Sequence, residues 1–194
     1  MEVVLYVTNK CNWNCDYCIT DTHSVDNKVF DELLKKVRDL PDIINSIVLS
    51  GGEPGMLSEE QIKILFDILL DANYEINLQT NGLFLEKYPE YLRYINHIQY
   101  HCVESLKDDI IFYDTDIDNI DYLIVVKKSE YHLLDEFMEK YPDITFSIMG
   151  EKKVNPISIS QKIKMIQKWR HRMSEYSIVE NLEDCGCKVI GLEN

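Results

Sequence analysis

Leu5-Tyr6-Val7-Thr8-Asn9-Lys10-Cys11-Asn12-Trp13-Asn14-Cys15-Asp16-Tyr17-Cys18 joins a short apolar run to three cysteines within eight residues. The run Val3 to Thr8 has strand character, so the cysteines fall in the loop at that strand's C-terminal end, where parallel α/β barrels carry their chemistry. Thiolates are soft ligands that select iron-sulfur clusters or zinc. A tetrahedral zinc site would want a fourth ligand close by, whereas a 4Fe-4S cluster held by three cysteines leaves one iron open. Both readings stand on spacing alone, and colour separates them because zinc sites are colourless.

Working outward, strand-type runs alternate with amphipathic stretches, the pattern of a parallel sheet with helical crossovers. The strands are predicted at Val3 to Thr8, Ser46 to Ser50, Glu75 to Thr80, His97 to Val103, Tyr122 to Val126 and Ile144 to Met149. Between them, a helix starting near Asp26 carries the stripe Val29, Leu33 and Val37. A second opens on Ser58-Glu59-Glu60-Gln61, a capping-box pattern, and Leu85 to Ile95 makes a weaker helical stretch. Residues 129–141 form a further helix, and Ser158 to Gln161 repeats the capping-box spacing before the last one. Six βα units are too few for a closed eight-unit barrel of ~250 residues. The expected fold is therefore α/β, an incompletely closed (β/α)6 partial TIM-type barrel in a single domain, with Glu104 to Asp121 as a long Asp-rich surface loop.

Composition narrows the partners. The chain has 194 residues, with 20 Lys+Arg against 34 Asp+Glu and a formal net charge of −14. An acidic surface repels phosphate, which makes nucleic acid an unlikely partner class. Apolar residues make up 45% and only 7 Gly and 5 Pro are present, which excludes a disordered or collagenous chain. No apolar stretch approaches the ~20 residues that span a bilayer, and the start lacks the positive region of a signal peptide. A cytoplasmic location is expected, and six cysteines there point to metal or catalysis before disulfides.

The triad resembles the signature of the radical S-adenosylmethionine (radical SAM) superfamily, C-x3-C-x-Φ-C with an aromatic Φ, here Tyr17. Ser50-Gly51-Gly52-Glu53-Pro54 follows the second predicted strand, where that family places a Gly-Gly-Glu-Pro motif, and Leu78-Gln79-Thr80-Asn81-Gly82 is similar to a Thr-Asn-Gly at the end of its third. The resemblance spans about residues 3–150. It implies a radical SAM core over 1–150, and a last barrel helix plus C-terminal tail over 151–194 in the same domain.

The resemblance further implies that Cys11, Cys15 and Cys18 hold a 4Fe-4S cluster whose open iron chelates the methionine moiety of S-adenosylmethionine. Tyr17 belongs to the cluster loop. Gly51 and Gly52 let backbone approach the cationic end of S-adenosylmethionine, and Glu53 accepts a hydrogen bond from its amino group. Asn81 is a further cofactor contact. By topology, polar groups at the ends of strands four to six hold ribose, carboxylate and adenine. These are Glu104 or Ser105, Lys127 or Lys128, and the stretch from Ser147 to Gly150. The family chemistry is one-electron cleavage of S-adenosylmethionine to methionine and a 5′-deoxyadenosyl radical, which abstracts hydrogen from a substrate.

Other residues are less pointed. Cys185-Gly186-Cys187 reads as a thiol pair or a substrate-contacting tail before an auxiliary cluster, and Cys102 as a buried small hydrophobe. His23 and His101 could reach the active site. Lys162, Lys164, Lys168, Arg170 and Arg172 read as a solvated helix face. The leading function is an enzyme acting on a small molecule, including a nucleotide or purine-like one, or on a peptide. One sub-reading resembles the 7-carboxy-7-deazaguanine synthases, although the Asp21-Thr22 that would match theirs is displaced two positions beyond Cys18. The alternatives are an activase installing a glycyl radical on a partner enzyme, and a cluster or zinc protein without this chemistry. An electron donor such as flavodoxin or ferredoxin is the implied redox partner.

Overall fold

Short apolar runs form six strands, with bounds within two residues of those expected from the sequence. They are β1 (Glu2–Thr8), β2 (Ser46–Gly51), β3 (Glu75–Thr80), β4 (His97–His101), β5 (Ile120–Val126) and β6 (Phe146–Gly150). This computed structural model describes residues 1–15, 18, 28–113, 119–150, 156–174 and 178. The strands follow one another in sheet order, β1-β2-β3-β4-β5-β6, and the registered pairs are parallel. With β1 and β6 at the two edges the sheet is not closed, which makes the fold an open (β/α)6 arrangement.

The chain forms two compact units, Met1–His101 with Ile111–Ile120, and Cys102–Ile110 with Asp121–Asn194. In the first, one sheet face is the core. Leu5 and Val7 of β1, Ile47 and Leu49 of β2, Ile76 and Leu78 of β3, and Ile98 and Tyr100 of β4 are all buried. The helices α1 (Lys28–Arg38) and α2 (Glu59–Asp71) bury Phe30, Leu33, Leu34 and Val37, and Ile62, Leu65, Phe66 and Leu69. Ser58 caps α2 in a complete box with Gln61, a motif whose cap is typically worth ~1 kcal/mol. The helix predicted over Leu85 to Ile95 is instead split into α3 (Leu83–Lys87) and a 3-10 turn (Pro89–Tyr94), because Pro89 has no N–H for a continuing ladder.

The second unit buries Ile124 and Val126 of β5, Phe146 and Ile148 of β6, Phe137 and Met138 of α4 (Leu134–Lys140), and Met165, Ile166 and Trp169 of α5 (Ile159–Trp169). Residues 129–141 are helical in two pieces, a 3-10 turn at Tyr131–Leu133 and then α4. Ser158 forms the second capping box, with Gln161. The basic residues around α5 are not simply a solvated face. Lys162 is buried, Lys168 pairs with Asp135 at 2.8 Å, and Arg172 Nη1 donates to the Met138 carbonyl at 2.7 Å. Among the described residues no helix is long and apolar enough to cross a membrane.

Candidate cofactor site

The path from β1 into the cysteine loop is set by backbone pairing. β1 and β2 run in register through Tyr6 and Ser50, then slip so that Thr8 faces Gly51. Pairing continues past both strands. Gly52 N–H donates to Thr8 O at 2.6 Å and Glu53 N–H to Lys10 O at 2.7 Å. That approach requires glycine. A Cβ on Gly52 would stand 2.1 Å from Lys10 O, and Gly51 has φ of +118° with a Cβ position 2.7 Å from Thr8 O. The closeness these glycines permit is to the chain's own β1 exit.

Glu53 is 1% exposed. Its Oε1 accepts from Gly55 N–H (2.9 Å), the Thr80 hydroxyl (2.8 Å) and Phe84 N–H (3.2 Å), and its Oε2 from Asn81 N–H (2.8 Å). The structure thus surrounds the carboxylate with four of the chain's own donors. Burial pushes this carboxyl above its ordinary range, and all four donors, led by Asn81 N–H, pull the other way. Every partner donates, so the arrangement is built for the anion.

Asn81 connects this brace to the cysteines. Its Nδ2 donates to Asn12 Oδ1 at 2.8 Å and reaches Cys11 Sγ at 3.7 Å, while its Oδ1 accepts from Leu83 N–H at 3.3 Å. Trp13 N–H also points at Cys11 Sγ, at 3.4 Å. Trp13, within the loop, packs edge-on against His101 at the end of β4, with ring centroids 5.3 Å apart. Cys11 and Cys15 are half-buried and Cys18 is exposed, and Cys18 N–H closes a turn onto Cys15 O at 3.1 Å. Burial pushes the Cys11 thiol up. The Trp13 amide opposes that, and the negative charge of Glu53 and Cys18 adds to it.

Among the described residues, no three His, Cys, Asp or Glu side chains are gathered as a single metal ion would need. The donor set nevertheless fits an iron-sulfur cluster. Three soft sulfurs come from one loop, and Cys11 Sγ receives two N–H donors, the pattern that stabilises a thiolate. Cys11, Cys15 and Cys18 would hold the group.

The structure brings Cys11, Gly51, Gly52, Glu53 and Asn81 together in the first unit. Tyr17, His23, Cys185 and Cys187 lie outside the described residues. The remaining expected contacts belong to the second unit. Ser105 donates its hydroxyl to Glu130 at 2.8 Å, and Glu104 stands half-buried beside it. Lys127 directly follows β5, with Lys128 exposed after it, and its carbonyl accepts from Glu130 N–H. Ser147 is fully buried at the second position of β6, and its hydroxyl is engaged by Asp121 (2.6 Å) and Ser174 (2.7 Å). That places it in the interior of the unit, three residues before the strand end where the sequence reading sets a ligand contact. Gly150 ends β6, and a Cβ there would meet Ile157 and Lys162. Cys102 is buried as expected, and burial pushes its thiol up to about 12.

Three members of the site carry no mark of it in the sequence: Thr80, Lys10 O and Trp13. Thr80 stood inside the quoted Thr-Asn-Gly, but nothing in that motif says that its hydroxyl faces Glu53.

The model of the radical SAM superfamily matches residues 5–131, about two thirds of the chain. The chain belongs to the radical SAM superfamily. Among relatives of this radical SAM protein is a GTP 3′,8-cyclase of Staphylococcus saprophyticus, 24% identical over 193 residues, which cover 94% of this chain and 54% of that protein. A probable GTP 3′,8-cyclase of Methanococcus aeolicus is 36% identical over 93 residues, covering 45% of this chain and 31% of that one. The chain thus spans about half or less of the length of these relatives. A solved structure, native anSMEcpe with bound AdoMet and a Cp18Cys peptide, shares the fold, with a TM-score of 0.57 at 14% identity over 86% of this chain and 57% of that one. The radical SAM family is one of enzymes that use S-adenosylmethionine and an iron-sulfur cluster.

Proposed function

We propose that Cys11, Cys15 and Cys18 hold a 4Fe-4S cluster in an enzyme that abstracts hydrogen from a small-molecule or peptide substrate. When bound, the reduced cluster supplies one electron to the sulfonium of S-adenosylmethionine, which divides into methionine and a 5′-deoxyadenosyl radical that takes a hydrogen atom from the substrate. The observation that carries this is the tie from Glu53 through Asn81 to Cys11, because it joins the family's two motifs to each other. In this reading Glu53 is a positioning residue. It fixes the Asn81 backbone, whose side-chain amide then stands at Cys11 and Asn12.

The names of the relatives support a nucleotide substrate, and the peptide bound to the structural neighbour supports a peptide. An electron donor such as flavodoxin or ferredoxin completes the scheme. The test is release of 5′-deoxyadenosine by dithionite-reduced, reconstituted protein, set against a variant with all three cysteines replaced by alanine. Release by wild type alone supports the enzyme. Stimulation by a partner protein, and by neither a small molecule nor a peptide, would turn the reading toward the activase.

A further inference from the structure

Strand parity gives the first unit a second face, opposite its core. Tyr6 of β1 is registered with Ser50 of β2, the Ser50 hydroxyl donates to Gln79 Oε1 of β3 at 2.6 Å, and Gln79 is registered with Gln99 of β4. These four residues form one row across four strands. None is buried, and Tyr6 is 48% exposed, while their neighbours on the other parity are core. Two residues further along the same strands stand Asn81 and His101, so the row lies one strand step, roughly 6–7 Å, below the residues that contact the cysteine loop.

The chemistry of the row is specific. Ser50 fixes the plane of the Gln79 amide by occupying Oε1, while Gln79 Nε2 and the whole Gln99 amide have no hydrogen-bond partner among the described residues. Two primary amides side by side, the first oriented by Ser50, offer donors and acceptors that complement a peptide group. Charge disfavours a triphosphate. Among the described residues, the strand positions of this face in β1 to β4 carry no Lys or Arg, and Glu2 and Glu75 add carboxylates at their start. A triphosphate needs cationic or oriented N–H donors to offset its charge, and a neutral polyamide does not.

We propose that this face binds a peptide segment through its main-chain amides, with Gln79 and Gln99 as the residues that hold it. The proposal rests on the enzyme reading above and names its substrate class. The test uses anaerobic, cluster-loaded protein with S-adenosylmethionine, and a pool of capped, uncharged hexapeptides carrying a neutral dye, read by fluorescence anisotropy. Saturable binding is expected, weakened roughly tenfold in Gln79→Leu and in Gln99→Leu and not displaced by GTP or guanosine. Iron content and thermal midpoint of the variants serve as fold controls. Absence of saturable binding, binding indifferent to both substitutions, or displacement by GTP or guanosine would overturn the proposal. If the wild-type protein still cleaves S-adenosylmethionine in those cases, the peptide assignment alone has failed. If it does not cleave, the enzyme reading has failed with it.

Discussion

The side-chain amide of Asn81 lies 3.7 Å from Cys11 Sγ, while its backbone N–H is held at 2.8 Å by Glu53. One residue at the end of β3 therefore links a buried carboxylate to Cys11, the proposed cluster ligand.

Hydrogen bonds to ligand sulfurs raise the potential of an iron-sulfur centre by stabilising its more negative, reduced form. Asn81→Ala should lower the midpoint potential of the reconstituted cluster, by on the order of tens of millivolts. Asn81→Asp should lower it further, because a carboxylate then faces the thiolate. Potentiometry followed by electron paramagnetic resonance measures both, and three equal potentials would contradict the link.

Replacing Glu53 with Gln tests the brace itself. Whichever way the new amide turns, its NH2 meets a donor, at the Asn81 side or at the cluster of Gly55, Thr80 and Phe84. Leaving buried donors unpaired and removing the charge should destabilise the fold by about 2–4 kcal/mol. For a chain of this size that is a fall in Tm of roughly 5–15 °C. A Tm equal to wild type would show the four bonds to be inconsequential.

Gly52→Ala and Gly150→Ala separate two kinds of glycine. A Cβ on Gly52 meets the Lys10 backbone oxygen at 2.1 Å, whereas on Gly150 its nearest atoms belong to the side chains of Ile157 and Lys162, at 2.9 and 3.0 Å, and not to the backbone of the cysteine loop. Iron content after reconstitution should fall severely in the first and stay near wild type in the second. Equal iron content in both would contradict the role given to the Gly52 approach.

Much of this was legible in the sequence, for physical reasons. Strand positions followed from period-two burial, as at Ile76 and Leu78, and Ser58 and Ser158 announced their helices through side-chain chemistry that is local to four residues. The cysteine spacing and Gly-Gly-Glu-Pro exposed the site for the same reason. What was not legible depends on contacts distant in the chain. The partners of Glu53, namely Thr80, Asn81 and Phe84, come from some thirty residues on. The engagement of Ser147 by Asp121 and Ser174 likewise comes from both directions along the chain. Pro89 was a visible breaker inside an apolar stretch, and its missing N–H outweighed the periodicity.

Cys185 and Cys187 offer a separate check on the cluster. Replacing both with alanine should leave about four irons per chain, the content of one cluster on three loop cysteines. Loss of half of a larger content in that variant would instead show an auxiliary cluster.

Dithionite-reduced protein should release 5′-deoxyadenosine from S-adenosylmethionine slowly without substrate, and the variant with Cys11, Cys15 and Cys18 replaced by alanine should release none. No release from wild type, with cluster and S-adenosylmethionine both shown to be bound, would contradict the account.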